Sequence, residues 1–216
     1  QTRSIDGGIT WENKLAPLVI PGNIGSISSE EHMSFSYGPV SERINSPTSH
    51  YGGINFTHPD FAMLCARSGL ESNAESWFYT STDRCNSWEG PFILPMFGEL
   101  GISARTDYLT FGNSNLNKVT LLLTSTKPNG KEGRVFCAET MDSGKSFKFI
   151  SWLNEMPEGF DIMPSSVLLN SGEIITAVRS RNSAGNKNWI DLYKNNFVSD
   201  SEIKFGGDLR LYKNTK

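Results

Sequence analysis

Several features are scarce or missing in this 216-residue chain. No apolar stretch approaches the roughly 20 residues that a membrane-spanning helix needs, so a helical membrane protein is excluded. Basic residues are not in excess: Lys and Arg total 20 against 23 Asp and Glu, for a net charge of −3, with no basic run. A nucleic-acid partner therefore has no electrostatic basis. Cysteine is sparse. Cys65, Cys85 and Cys137 cannot all pair within one chain and none stands in a C-x-x-C spacing, which argues against a zinc site or a disulfide-built scaffold. Three buried free thiols are expected, with one disulfide plus a free thiol as the alternative. His32 and His50 have no partners at metal-ligand spacing and read as solvated, and no Asp-rich calcium loop is present, so neither metal nor cofactor is expected. Helical periodicity is also missing, although 29–33 could form a turn or two. With 37% hydrophobic and 20% charged residues, the remainder is ordinary for a folded domain.

What is present has a β texture. Trp77–Thr80, Val119–Leu123, Arg134–Ala138 and Ile174–Val178 are β-branched or aromatic runs separated by Gly, Asn, Ser and Pro clusters. Lys127-Pro128-Asn129-Gly130 reads as a turn, because proline fixes one dihedral and Asn-Gly tolerates positive φ. Many short strands at fairly even spacing imply a sandwich, a barrel or a propeller.

Internal repeats decide among these. Ser4-Ile5-Asp6-Gly7-Gly8-Ile9-Thr10-Trp11 returns as Ser81-Thr82-Asp83-Arg84-Cys85-Asn86-Ser87-Trp88 and as Thr140-Met141-Asp142-Ser143-Gly144-Lys145-Ser146-Phe147. The chemistry is that of a turn: the Asp carboxylate accepts from backbone N–H groups further on, Gly takes positive φ, and the closing aromatic drops into the core. Asp6, Asp83 and Asp142 are thus structural. A decayed fourth copy is placed around 193–197. A second repeat aligns Thr57–Leu64 with Ala104–Phe111 and, more loosely, with Ile162–Leu169. Each is an entry strand preceding its turn, and about 50 residues per unit is the scale of one propeller blade.

With these turns on view, together with 167–179, which ends in Arg179, the chain resembles the sialidase-type (neuraminidase-type) Asp-box, or BNR-repeat, β-propellers. The resemblance implies an all-β propeller with about four blades of a usual six: a partial blade over 1–50, then blades at approximately 51–97, 98–155 and 156–216. The chain would accordingly be a fragment or a shortened homologue, whose open blade edges could pair with a second copy. The family also implies a secreted or periplasmic location.

For function, the resemblance implies a glycoside hydrolase acting on sialic acid or another acidic sugar at an arginine-lined axial pocket. Planar guanidinium groups grip the carboxylate, a Tyr–Glu pair supplies the nucleophile and an Asp serves as acid/base. Arg179, seven residues after Gly172, matches a carboxylate-binding arginine, and Arg181 shares its strand face. Arg67 ends an apolar run in the same way. The place of the family's catalytic Glu falls near Met163, which cannot take a proton. Within the second repeat His58, Arg105 and Met163 are equivalent, and Asp60, Asp107 and Ser165 follow two residues on. These are expected to converge on the axis as a polar glycan pocket; a local cap at a strand start is the alternative for each residue alone. The candidate catalytic residues are Asp60, Asp107 and Asp161, and the candidate substrate-binding residues are Arg179, Arg105, Arg181, Arg67 and His58. Tyr108 is expected to face outward, and Trp77, Trp88, Trp152 and Trp189 to pack the blades. The alternative function is a non-catalytic propeller that binds glycan or scaffolds interactions.

Overall fold

A computed structural model of the chain describes residues 2–15, 17–22, 39–112, 115–197 and 203–214, with backbone alone at 105, 106, 132 and from 195 onward. The short helix expected at 29–33, and His32 with it, lies outside the described residues. Among the described residues thirteen strands form four antiparallel sheets, each a simple meander. The first is a hairpin of β1 (Thr2–Arg3) and β2 (Glu12–Asn13). The second comprises β3 (Ala62–Arg67), β4 (Ser76–Ser81) and β5 (Glu89–Ile93). The third runs β6 (Ile102–Thr110), β7 (Val119–Thr126), β8 (Glu132–Thr140) and β9 (Lys148–Trp152). The fourth runs β10 (Phe160–Leu168), β11 (Ile174–Arg181), β12 (Asn188–Phe197) and β13 (Ile203–Asn214). Apart from one 3-10 turn at Val40–Glu42, the described elements are all strands, so none of them is a helix long and apolar enough to cross a membrane.

The sheets stack face to face around a common line, which makes the fold a partial β-propeller. β6, the first strand of the third sheet, lies beside β3 on one side and β10 on the other. Burial on both faces follows from strand periodicity. In β7 every residue is buried: Val119, Leu121 and Leu123 enter the core shared with the second sheet, while Leu122 enters the core shared with the fourth. β8 divides in the same way, with Phe136 and Ala138 on one side and Val135 and Cys137 on the other. β4 turns Phe78 toward the third sheet, and Trp77 and Tyr79 toward Val40. Each such fully buried side chain contributes about 1.5–3 kcal/mol, so the two inter-sheet cores hold the blades together.

The three Asp turns share one geometry. The leading hydroxyl of Ser4, Ser81 or Thr140 donates to the Asp two residues on, at 2.8 Å in each copy. It accepts in turn from the N–H of Gly8, Cys85 or Gly144. The carboxylate then takes the N–H of Thr10, Ser87 or Ser146 at 2.9 Å and its hydroxyl at 2.6 Å. Cys85 occupies the glycine position with φ 63°, a conformation uncommon outside glycine. Gly144 (φ 84°) has a second constraint, since a Cβ there would collide with Ile54.

The turns join β1 to β2, β4 to β5 and β8 to β9, and they mark one end of the first three sheets. In the third sheet Thr140 pairs with Val119 and Val119 with Thr110, so β6 ends at the Asp-turn end. In the second sheet Ser81 pairs with Ala62, so β3 begins there. β3 therefore corresponds to β7, not β6. The alignment of Thr57–Leu64 with Ala104–Phe111 is corrected: both are apolar runs with polar entries, but they travel in opposite directions.

Four other expectations are also corrected. Trp11 does not reach a core; it is 63% exposed and its indole donates to the Gly8 carbonyl at 3.0 Å, because the β1–β2 hairpin offers it no facing sheet. His50 is buried, not solvated: its Nδ1 accepts from the Gly52 N–H at 2.9 Å and its ring packs edge-on against Phe92. Burial holds its pKa below the usual histidine value. Residues 193–197 form no fourth turn, since they continue β12. The cysteines are all free, but only Cys137 is fully buried; Cys65 and Cys85 are half-buried.

Candidate functional site

The end of the sheets away from the Asp turns is here called the far end. Two inner strands are bulged toward it. β6 slips register between Ser103 and Asp107, and β10 between Ile162 and Ser165. Bulges re-aim side chains and occur often next to active sites. Arg105 and Met163 occupy these corresponding bulges, Arg105 by its backbone alone because its side chain lies outside the described residues. Met163 has φ 54° and is 44% exposed. A left-handed methionine inside a strand is a backbone outlier that costs of order 1–3 kcal/mol.

Neighbouring strands reach across both bulges. Arg67, at the end of β3, is 4% exposed and its Nη1 donates to the Ala104 carbonyl at 3.4 Å. Asp107 accepts from the Ser166 N–H of β10. Burial raises the Asp107 pKa above the usual carboxylate value, against the lowering effect of the Ser166 and Tyr108 N–H groups. Arg179 of β11, opposite Ile162, is exposed and directs Nη1 to the Met163 sulfur at 3.7 Å. Contacts thus run from β3 to β6, from β6 to β10 and from β10 to β11.

The remaining candidates sort differently. Asp161 of β10 is 4% exposed and accepts from the Tyr193 hydroxyl at 3.2 Å. Arg181 stacks over Phe160, 4.8 Å from the ring centre, and donates to Asn188 at 3.0 Å. It serves the rim of its own sheet. Just before β10, a Cβ on Gly159 would collide with the Arg181 carbonyl, so only glycine lets the chain enter Phe160 and Asp161 this close to β11.

His58 and Asp60 do not join this group. They precede β3 and so lie at the Asp-turn end, where Asp60 pairs with Arg84 at 2.5 Å. That pairing raises the Arg84 pKa. The His58 Nδ1 accepts from the Asp60 N–H at 3.1 Å. The expected ring of His58, Arg105 and Met163 is corrected accordingly: the last two share the far end and His58 faces the opposite one, as the reversed polarity of β3 requires.

Sequence reasoning missed two features. One is the Tyr193 hydroxyl on Asp161, which links strands 32 positions apart and leaves no local signal. The other is a cavity of about 370 Å³ at the Asp-turn end, lined mainly by Phe56, Thr57, His58, Phe61, Tyr108 and Thr110. Tyr108 does not face outward; its ring meets Phe61 edge-on at 5.8 Å. Among the four tryptophans expected to pack blades, Trp77 is fully buried, Trp88 packs beside it, and Trp152 packs on Phe136. Trp189 instead donates to Asp191 at 2.7 Å. Among the described residues no group of three His, Cys, Asp or Glu side chains is placed to hold a metal.

Neither a family model nor a curated protein matches the chain. Solved structures do. A thermostable family-43 glycoside hydrolase superposes with a TM-score of 0.54 at 16% identity, over 80% of this chain and 57% of that one. A protein of unknown function from Dyadobacter fermentans superposes with a TM-score of 0.50 at 13% identity, over 94% of this chain and 61% of that one. An α-L-arabinofuranosidase from Fusarium graminearum in complex with an iminosugar inhibitor gives 0.44 at 15% identity, over 68% and 44%. The chain thus spans less than two thirds of each. These likenesses bear on the fold. They extend to propeller-type architecture and not to a sialidase in particular.

Proposed function

We propose that this chain is a glycoside-hydrolase-type propeller that takes sialic acid or another acidic sugar at the far end of its inner strands. Arg179 holds the sugar carboxylate. Asp107, inward of it beside the β6 bulge, donates a proton to the glycosidic oxygen as the bond from that oxygen to the anomeric carbon breaks. A water then adds to the anomeric carbon and returns a proton to the Asp107 carboxylate. One observation carries the reading. Arg179 stands exposed with no carboxylate beside it among the described residues, its guanidinium turned to the Met163 sulfur at the β10 bulge. Such a planar cation matches a ligand carboxylate bidentately. The raised pKa of Asp107 suits a proton donor. The likeness to a family-43 glycoside hydrolase supports a sugar as the ligand.

A second reading, binding without hydrolysis, is favoured by two residues. Met163 stands where the sialidase resemblance puts a carboxylate, and Asp161 is buried under the Tyr193 hydroxyl and so poorly placed to exchange a proton with substrate. Turnover of fluorogenic α-sialosides and β-glucuronides, with calorimetric binding of the free acids, separates the two. Arg179→Ala is expected to weaken binding about tenfold or more, while stability stays within about 0.5 kcal/mol. Turnover that disappears in Asp107→Asn supports the hydrolase. Binding without turnover supports the second reading, and the loss of both in the unaltered chain ends both.

A further inference from the structure

The cavity at the Asp-turn end lies on the other side of the molecule from Arg179, between the approach to β3 and the end of β6. At about 370 Å³ it falls within the range of about 300–1,000 Å³ usual for small-molecule sites. Among the described residues no charged side chain lines it. A charged guest would lose hydration without gaining a counter-ion there, so the lining selects a neutral one.

The rings and polar groups narrow the class further. Phe56 and Phe61 meet edge-on at 5.5 Å, and Phe61 and Tyr108 at 5.8 Å, a chain of rings held in fixed orientations. Phe56 is buried, so Phe61 and Tyr108, both partly exposed, are the rings that can meet a guest, and the negative face of such a ring complements the polarised C–H face of a sugar. Burial raises the Tyr108 pKa, so its phenol stays neutral. The Thr57 hydroxyl donates to Asn55 at 2.9 Å, which leaves its oxygen as an acceptor. The His58 Nδ1 already accepts the Asp60 N–H, so Nε2–H is the donor of the neutral imidazole. Thr110 adds a second hydroxyl. Acceptors and a donor beside apolar rings match a guest whose hydroxyls both give and receive hydrogen bonds.

We infer that this cavity is a second carbohydrate site, one that takes a single neutral sugar ring, apart from the acidic-sugar site proposed at the far end.

The test uses the full chain and the methyl glycosides of glucose, galactose, xylose and arabinose, titrated by saturation-transfer NMR. At least one is expected to saturate. His58→Ala and Thr110→Val should each weaken it about fivefold, and Arg179→Ala should leave it unchanged. Circular dichroism of each variant separates lost binding from lost fold. Three results would overturn the inference: no glycoside saturates; binding responds to Arg179→Ala but to neither cavity variant; or p-nitrophenol binds in the cavity while every glycoside fails to. Acidic-sugar binding at Arg179 is read independently, by calorimetry with the free acids, so the two proposals fail separately.

Discussion

The Asp turns and the inter-sheet space of this propeller use the same residue, aspartate, in opposite ways. At the Asp-turn end each carboxylate is surrounded by donors on its own loop and held at a pKa of about 2. For Asp6 and Asp83 the largest cause is the hydroxyl of Thr10 or Ser87; for Asp142 burial opposes, and the Ser146 and Thr140 hydrogen bonds outweigh it. Midway along β6, where the bulge closes opposite Leu122, Asp107 receives its N–H from another sheet, and burial pushes its pKa up. The difference lies in the origin of the donors. Donors within a few residues stabilise the ionised form and build a turn, whereas for the carboxylate between two sheets the loss of water outweighs its hydrogen bonds and the proton is held to higher pH.

Because the same strands run through both regions, the sharpest way to break this comparison is to remove what the regions share. Phe136 is fully buried in the core between the second and third sheets, against Phe97 and Trp152. Phe136→Ala should cost about 3–5 kcal/mol in urea unfolding, with fluorescence and far-UV dichroism moving together. Separate transitions for the two regions would mean that they are independent units and that the contrast is not internal to one fold.

A smaller effect sharpens it. Asp142→Ala removes the acceptor for the Thr140 hydroxyl and for the Ser146 N–H and hydroxyl, and should cost about 1–2 kcal/mol. Asp107→Asn keeps an oxygen for the Ser166 N–H and should change stability by less than about 1 kcal/mol. If the two substitutions were equally costly, Asp107 would be as structural as the turn aspartates.

How much of this could be read beforehand depends on range. The Asp turns were legible because hydroxyl, Asp, Gly and aromatic interact within eight residues, so their order alone encodes the geometry. The strand interiors were legible because both faces are buried and the apolar runs are nearly continuous, as in β7. Strand direction was not. The apolar pattern of Ala62–Arg67 fits β6 as well as β7, and only the pairing of Ala62 with Ser81 shows which way it runs. That direction alone puts His58 and Asp60 at the Asp-turn end. Met163 could be seen as a departure from the family pattern, but its left-handed backbone and its contact with Arg179 depend on a bulge that no local signal marks. Asp161 and Tyr193 were individually visible and their pairing was not, since it is set by the register of three strands.

The smallest expected effect concerns pH, and its sign differs between the turn aspartates and Asp107. The turn aspartates have folded pKa values near 2, below the value of about 3.9 in an unfolded chain. Their contribution is present above about pH 4 and is lost as pH falls toward about 2. Asp107 is raised, so its contribution is present below the unfolded value and is lost as pH climbs through the folded one. Asp83→Asn should therefore flatten the acid limb of the stability profile and change the neutral region by a constant amount. Asp107→Asn should leave the acid limb as it is and raise neutral-pH stability relative to the unaltered chain, because the amide carries no charge to desolvate. Urea midpoints across the acid range and at neutral pH decide it. Parallel profiles for the two variants would show that both carboxylates feel the same environment, and the distinction between a turn-building aspartate and a proton-donating one would then have no physical basis in this chain.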